Sequence, residues 1–369
     1  MNPTTIVTKS ADPYHIYVEN GWKEPLLSEI RRVSRGEIFL ISQKGLENCV
    51  MSSLLEYLRP LFPNINPSDR LFYLEVGEEN KHLDRLGSVY NWLLEKGADR
   101  KITILAVGGG VVGDFAGFVA ATFQRGVDFI QLPSTLLAAV DSSVGGKVAV
   151  NVKYGKNMVG AFHQPRLVYF NSELLRTLPE KEWICGLAEL LKHSFLQKSG
   201  TLLKILRGNA KNIRDTSSTE LQRVLMESIR VKAEIVEEDE KELGARAFLN
   251  LGHTTAHSIE SVTRYTRFSH GEAVSRGLVT MLLLSRRICG LSSESELEMI
   301  DLMREYLLPL DTAGLSAEDL YADMKYDKKS VSGEPKFVLL EERGRPVRDQ
   351  RVSKELFRDA WEEQKSRFG

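Results

Sequence analysis

Short runs rich in β-branched and aromatic residues alternate with helix-spaced stretches through the first half of this chain, and few folds accept that alternation. Runs at 37–41 (Glu-Ile-Phe-Leu-Ile), 71–75 (Leu-Phe-Tyr-Leu-Glu), 101–107 (Lys-Ile-Thr-Ile-Leu-Ala-Val) and 129–132 (Phe-Ile-Gln-Leu) read as strands. Apolar residues at helical spacing fill 46–61 and 81–96 between them. Strand, helix and strand in that order predict a parallel sheet with helices on its faces. Beyond Pro179 the texture changes to long amphipathic segments at 180–197, 218–237, 254–263 and 272–289. They predict a mainly α-helical second domain. The expected division is an α/β domain over 1–178 and a helical domain over 179–369, with a hinge near Leu178-Pro179 and the ligand site in the cleft between them.

A length of 369 residues suits two domains rather than one. The net charge of −1 removes any whole-molecule argument for nucleic-acid or membrane binding. An anionic ligand would therefore have to be held by a local cluster of Lys and Arg. Cys49, Cys185 and Cys289 are scattered and odd in number, so no disulfide framework or cysteine-built zinc site is predicted. The opening residues lack a charged start followed by an apolar core, and the longest apolar runs, such as 278–284, fall short of a membrane span. A cytoplasmic protein is expected.

The segment Val-Gly-Gly-Gly-Val-Val-Gly-Asp at 107–114 follows a strong strand and precedes a helix of small residues. Glycines let the backbone approach a diphosphate, whose charge sits against the helix N-terminal amides. Such a turn serves close packing equally well, and the fourth glycine comes three residues after the triplet ends, unlike the usual dinucleotide fingerprint. More informative is Pro-Ser-Thr-Leu-Leu-Ala-Ala-Val-Asp-Ser-Ser-Val-Gly-Gly-Lys at 133–147, followed by Asn151 and by Gly-Lys-Asn-Met-Val-Gly at 155–160. Glycines free amide donors and lysines supply point charge, which together make an anion pocket. Two polar surface turns with solvated lysines are the simpler alternative.

Three further elements carry metal-ligand chemistry. Gly-Leu-Ala-Glu-Leu-Leu-Lys-His at 186–193 lies on a predicted helix, Asn-Leu-Gly-His-Thr-Thr-Ala-His occupies 250–257, and Ser-His-Gly-Glu occupies 269–272. Imidazole and carboxylate suit zinc, and a catalytic site needs three protein ligands with positions left open. Spacing alone makes His253 and His257 the obvious pair, since side chains at i and i+4 share a helix face. A single histidine more often packs or caps a helix. Four of the seven, His193, His253, His257 and His270, fall in these elements, which favours a metal site. The acidic run at 237–240 reads as a solvated face closing the helix of Lys232, and Arg246 is either a surface residue or a bidentate anion donor.

Taken in order, the glycine triplet, Asp-Ser-Ser-Val-Gly-Gly-Lys, Gly-Lys-Asn, Ala-Glu-x-x-Lys, Leu-Asn-x-Gly-His-Thr, His-Gly-Glu-Ala and Asp-Lys-Lys resemble the 3-dehydroquinate synthase family of sugar phosphate cyclases, from about residue 76 to 340. The resemblance implies a nucleotide-binding first domain and a metal-binding second one. It implies that Glu189, His253 and His270 hold Zn2+ (or Co2+), which makes His257 a substrate-side residue and overrules the spacing argument. It places NAD contacts on Gly77, Glu78, Lys81, Gly110, Val111, Val112, Gly113, Asp114, Ser134, Thr135, Asp141, Lys147, Lys156, Leu174, Leu175, Arg176 and Thr177. Catalytic roles fall on Lys147, Lys192, Lys232, Arg246, Asn250 and His257, and substrate contacts on Arg125, Asn157, and Lys328 or Lys329. Arg125 is implied to reach across a homodimer interface.

Val76, Ser42, Ser134, Ala139 and His193 depart from the family pattern, at the cofactor's periphery rather than at the zinc or the phosphate clamp. The implied reaction turns 3-deoxy-D-arabino-heptulosonate 7-phosphate into 3-dehydroquinate by transient NAD-dependent oxidation, phosphate elimination, reduction and aldol cyclisation. Positioning and electrostatics would carry it more than many acid–base groups. The rival readings are another sugar phosphate cyclase, a metal-dependent polyol dehydrogenase of related fold, and a non-catalytic nucleotide-binding scaffold. Arg246, Asn250 and His257 as a set disfavour the first, the phosphate-directed lysines the second, and the metal triad the third.

Overall fold

The computed structural model describes residues 5–8, 12–326 and 334–369. The chain forms two compact units, one running through Leu178 and taking in Asn212–Ala233, the other comprising Pro179–Lys211 and Glu234–Gly369.

The first unit contains β1 (Thr5–Val7), β2 (His15–Glu19), α1 (Glu24–Val33), β3 (Ile38–Gln43), α2 (Ser52–Leu58), β4 (Leu71–Leu74), α3 (Leu86–Glu95), β5 (Thr103–Gly108), α4 (Gly110–Thr122), β6 (Asp128–Pro133), β7 (Lys147–Val152), β8 (Gly155–Phe162) and β9 (Leu167–Asn171). Seven strands form one sheet in the order β1-β2-β9-β6-β5-β3-β4, parallel throughout except where β1 meets β2. Strands buried on both faces read as continuous apolar runs, and β5 is buried at every residue. Its alternation sorts the core. Ile104 and Ala106 pack with Phe39, Ile41, Phe115 and Val119 on one face, while Leu105 and Val107 pack with Leu26, Ile30, Leu40 and Ile130 on the other. Full burial of each of these side chains other than Ala106 contributes about 1.5–3 kcal/mol. The later part of the segment read as an anion pocket forms an antiparallel hairpin, with Lys147 opposite Phe162 and Val150 opposite Val159.

The second unit contains α5 (Glu180–Leu196), α6 (Thr201–Asn209), the last turn of α7 (Thr219–Glu238), α8 (His253–Val262), α9 (His270–Ile288), α10 (Ser293–Glu305), α11 (Ala317–Tyr326), the hairpin of β10 (Lys336–Glu342) and β11 (Arg345–Arg351), and α12 (Lys354–Phe368). Two glycines let α9 meet its neighbours backbone to backbone. A Cβ on Gly277 would stand 2.2 Å from the Gly252 carbonyl oxygen, and one on Gly271 would stand 2.3 Å from the α-carbon of Cys185. Helices α5, α8 and α9 are thereby locked closer than side chains at those points would permit.

Candidate metal and nucleotide sites

The three locked helices each contribute one side chain to a single point. Glu189 sits midway along α5, His253 opens α8 and His270 opens α9. Gly252, at φ +78, is the αL residue that ends the preceding turn and starts α8 at His253. A capping box between Ser269 and Glu272 fixes the first turn of α9, and with it His270.

One ligand atom from each of Glu189, His253 and His270 lies within 4.8 Å of the others. Both imidazoles turn Nε2 toward Glu189 Oε1, at 3.4 Å each. Their Nδ1 atoms face acceptors instead: the Leu251 carbonyl oxygen at 3.1 Å for His253, and Glu260 Oε1 at 3.2 Å for His270. Partners of that kind orient metal-ligating histidines. Glu189 is fully buried, its oxygens making no well-formed hydrogen bond, with the Lys192 ammonium against Oε2. Burial pushes its carboxyl up, but Lys192 and the two histidines outweigh that and hold it well below the ordinary range. Burial pushes the His270 imidazole down, and Glu189 and Glu260 overcome that and carry it up to about 10. One carboxylate oxygen and two imidazole nitrogens converging on one point suit a tetrahedral divalent ion with a position left for substrate.

Around this cluster, His257 is exposed on α8, its ring 5.5 Å from that of His253. Arg246 is buried, with Asn250 four residues on in the same short turn before α8. Lys328 and Lys329 lie outside the described residues.

The remaining expected site residues belong to the first unit. Helix α4 begins at Gly110, directly beyond the end of β5, so its first-turn amides face the strand ends where an anion binds. A Cβ on Gly110 would come 3.1 Å from Ser142 Oγ, and one on Gly113 2.7 Å from Gln131 Oε1, so bulk is excluded there. These features fit the diphosphate of a dinucleotide. Val111, Gly113 and Asp114 continue that first turn. Val112 and Leu174 commit their side chains to the core, which leaves their backbones as the groups a ligand could use. Ser134 donates its amide to the Gly108 carbonyl at 2.8 Å, and Thr135 Oγ1 accepts from the Ala138 amide. Leu175 is buried, while Arg176, Thr177, Lys147 and Lys156 are exposed.

Two lysines draw parts of this set together. Lys81, buried, reaches Asp114 Oδ2 at 2.5 Å and Asn157 Oδ1 at 2.6 Å. Burial pushes the Asp114 carboxyl up, and Lys81 works against that rise. Lys232 reaches Asp141 Oδ1 at 2.6 Å. Gly77, at φ +116, starts the turn carrying Glu78 and Lys81. Arg125 is exposed at φ +70, in the turn after α4.

Sequence reasoning counted Asn151 in the anion pocket without giving it a partner; in the structure it ties this set together. Its side chain accepts the Asn157 amide at 2.9 Å and donates to Glu78 Oε1 at 2.8 Å, while its own amide donates to the Lys81 carbonyl at 2.7 Å. Its place between Gly-Gly-Lys and Gly-Lys-Asn was the only signal. Glu260 was also missed, since an acid inside a helix carries no local mark.

Known proteins resemble this arrangement. The family model described as 3-dehydroquinate synthase N-terminal matches residues 71–185, and the one described as 3-dehydroquinate synthase C-terminal matches 186–330. A 3-dehydroquinate synthase of Leptospira interrogans is 48% identical over 318 residues, which is 86% of either chain. A structure of 2-deoxy-scyllo-inosose synthase complexed with carbaglucose-6-phosphate, NAD+ and Co2+ superposes at a TM-score of 0.83 with 25% identity, covering 98% of this chain and 99% of that one. A 2-epi-5-epi-valiolone synthase from Streptomyces hygroscopicus with NAD+ and Zn2+ bound shares the fold at a TM-score of 0.81 and 22% identity, covering 96% and 97%.

Proposed function

The chain belongs to the 3-dehydroquinate synthase family, and from that premise we propose that it converts 3-deoxy-D-arabino-heptulosonate 7-phosphate to 3-dehydroquinate and phosphate, using NAD and one divalent ion, zinc or cobalt. The observation that carries this reading is the convergence of Glu189, His253 and His270, with Lys192 against the buried carboxylate. The related cyclases solved with NAD+ and Co2+ or Zn2+ support the same pair of cofactors.

When bound, the nicotinamide supplies reversible hydride transfer and the metal supplies Lewis acidity. Glu189, His253 and His270 hold the metal. The first-turn amides of α4, with Asp114 neutralising Lys81, hold the dinucleotide's diphosphate region. Lys192, beside the Glu189 carboxylate, places an ammonium where a developing alkoxide needs one. Arg246 and Asn250 take the substrate's anionic end, with Lys147, Asn157 and Lys328 or Lys329 on the phosphate, and Lys232 and His257 on the substrate side. The leaving phosphate can itself take up the proton of the adjacent carbon, so no dedicated carboxylate base is required. The working form is a cytoplasmic homodimer in this reading. Three free cysteines accord with a reducing compartment, and no described helix is long and apolar enough to cross a membrane.

The test is to incubate the protein with the heptulosonate phosphate, zinc or cobalt, and NAD far below substrate, and to assay phosphate and dehydroquinate together. Equal release of both is expected. Accumulation of reduced cofactor without phosphate would favour the polyol dehydrogenase reading instead.

A further inference from the structure

In the acidic run at the end of α7, Glu238 is exposed as expected of a solvated face, but Asp239 has a further use. Helix α7 ends at Glu238, and Asp239 is the next residue. Negative charge at a helix C-terminus opposes the helix dipole, so α7 itself gains nothing from an acid there. The carboxylate is used by the chain that follows. Oδ1 accepts the Leu243 amide at 2.9 Å, while Oδ2 accepts the Gly244 amide at 2.6 Å and the Arg246 amide at 3.1 Å. Three donors of an irregular loop thus end on one side chain.

That loop is held at other points too: Arg348 Nη1 donates to the Leu243 and Gly244 carbonyls at 3.2 and 3.3 Å, and the Glu242 amide donates to the Asp239 carbonyl at 3.4 Å. It is neither strand nor α-helix, and it passes through Glu242 at φ +59, a left-handed conformation costly for a residue with a Cβ. It leads directly into the short turn Ala245–Asn250, which delivers Arg246 and Asn250. The Glu242 carboxylate in turn accepts from Asn250 Nδ2 at 3.3 Å, and Arg246 Nη1 donates to the Glu240 carbonyl. Remove the Asp239 carboxylate and the amides of Leu243, Gly244 and Arg246 lose their acceptor, on the stretch directly after the φ +59 residue.

We propose that Asp239 is a positioning residue, whose carboxylate fixes the 239–246 loop so that Arg246 and Asn250 meet the anionic substrate in one geometry. This rests on the substrate assignment above. A carboxylate suits the task because it accepts through two oxygens at once, and Asn would present one acceptor and one donor. Asp239 touches neither the metal ligands nor the dinucleotide set, so its loss should be felt by substrate alone.

The experiment compares wild type with Asp239→Ala and Asp239→Asn. Asp239→Ala should raise KM for the heptulosonate phosphate about tenfold or more, leaving the KM for NAD and the bound-metal content unchanged. Asp239→Asn, which keeps one acceptor, should fall between them. A residue that merely supported the fold would disturb all three quantities together. Hydrogen exchange separates this claim from the function assignment, since it needs no turnover. Amides of Leu243, Gly244 and Arg246 should be protected in the wild type and exchange at least tenfold faster in Asp239→Asn. If the wild type shows no activity but the protection pattern holds, the substrate assignment fails and the loop assignment stands. Unprotected amides in the wild type, or a substrate KM within twofold in both variants, overturn the inference.

Discussion

His270 turns Nδ1 onto the Glu260 carboxylate, 3.2 Å away, while its Nε2 faces Glu189. The second contact can hold a metal only because the first fixes the ring and its tautomer. Glu260→Gln keeps the size and loses the charge. It should weaken metal affinity by about 10- to 100-fold, read by competition against a chromophoric chelator, with the fold intact by circular dichroism. Unchanged affinity would remove Glu260 from the site.

The same geometry separates the two histidines of α8. His253 presents Nε2 to Glu189, whereas His257, one turn on, is exposed with its ring edge-on to that of His253. His253→Ala should therefore lose its metal and its activity. His257→Ala should keep full metal occupancy and lose turnover. Elemental analysis of both purified variants decides it, and full occupancy in His253→Ala would end the three-ligand assignment.

How far all this was readable from the sequence depends on what each residue needs from its neighbours. The central strands were legible because β5 is buried on both faces and so reads as an unbroken apolar run. The long helices were legible from their length and apolar spacing, and their ends fell within a few residues of the expected bounds. The β7–β8 hairpin gave no strand signal because Lys156, Met158 and Phe162 all stand exposed, leaving no clear alternation. The edge strand β1 and the strands β2 and β9 beside it gave no signal that was recognised. At the site, spacing paired His253 with His257, and no local rule could reveal that Glu189, more than sixty residues earlier, would face His253 and His270. Asp239 was misread for the same reason: its partners are backbone amides, which every sequence has.

The proposed reaction has a redox-neutral balance, since product and inorganic phosphate together contain the atoms of the substrate. NAD should therefore be recycled. With NAD at about one hundredth of substrate, dehydroquinate should accumulate to many equivalents of cofactor. Reduced-cofactor absorbance rising in step with substrate consumption would contradict this.

Acid stability should depend on the cluster joining α9, α10 and α12. Glu363 accepts from Arg286 at 2.8 Å and from Arg367 at 3.2 Å, with Arg287 also against it. Burial raises its pKa, but the hydrogen bond and charge of Arg287, the charge of Arg286 and the hydrogen bond of Arg367 outweigh this and lower it. A lowered folded pKa means stability present above the unfolded value and lost as pH falls through the folded one. Glu363→Gln should therefore cost about 1 kcal/mol near pH 7. The gap should close as pH falls through the lowered folded pKa, below which the wild-type carboxyl is itself protonated. Thermal melts on either side of that pKa test it, and a gap independent of pH would mean packing rather than charge.

Arg125 is the residue whose role needs the most beyond its own surroundings. It sits exposed at φ +70 in the turn after α4, where no local contact calls for a guanidinium, and a solitary arginine in a turn is ordinarily just solvated. It borders a surface groove of about 410 Å³ lined by Tyr90, Leu94, Thr122, Phe123 and Gln124, with Leu94 exposed by 54%. Apolar surface of that kind beside a charged tip accords with a second subunit covering the groove. In the proposed dimer, Arg125 donates as a fork to the phosphate in the neighbouring subunit's site. A point charge cannot reproduce that fork, so Arg125→Lys should be nearly as damaging as Arg125→Ala. Each should cost about 2 kcal/mol or more of transition-state stabilisation. Mixing inactive Arg125→Ala protein with inactive Lys192→Ala protein under subunit exchange separates the possibilities. If the site is shared, a mixed dimer contains one site with both residues intact, and activity returns. If exchange is verified and activity stays absent, Arg125 serves its own subunit or none.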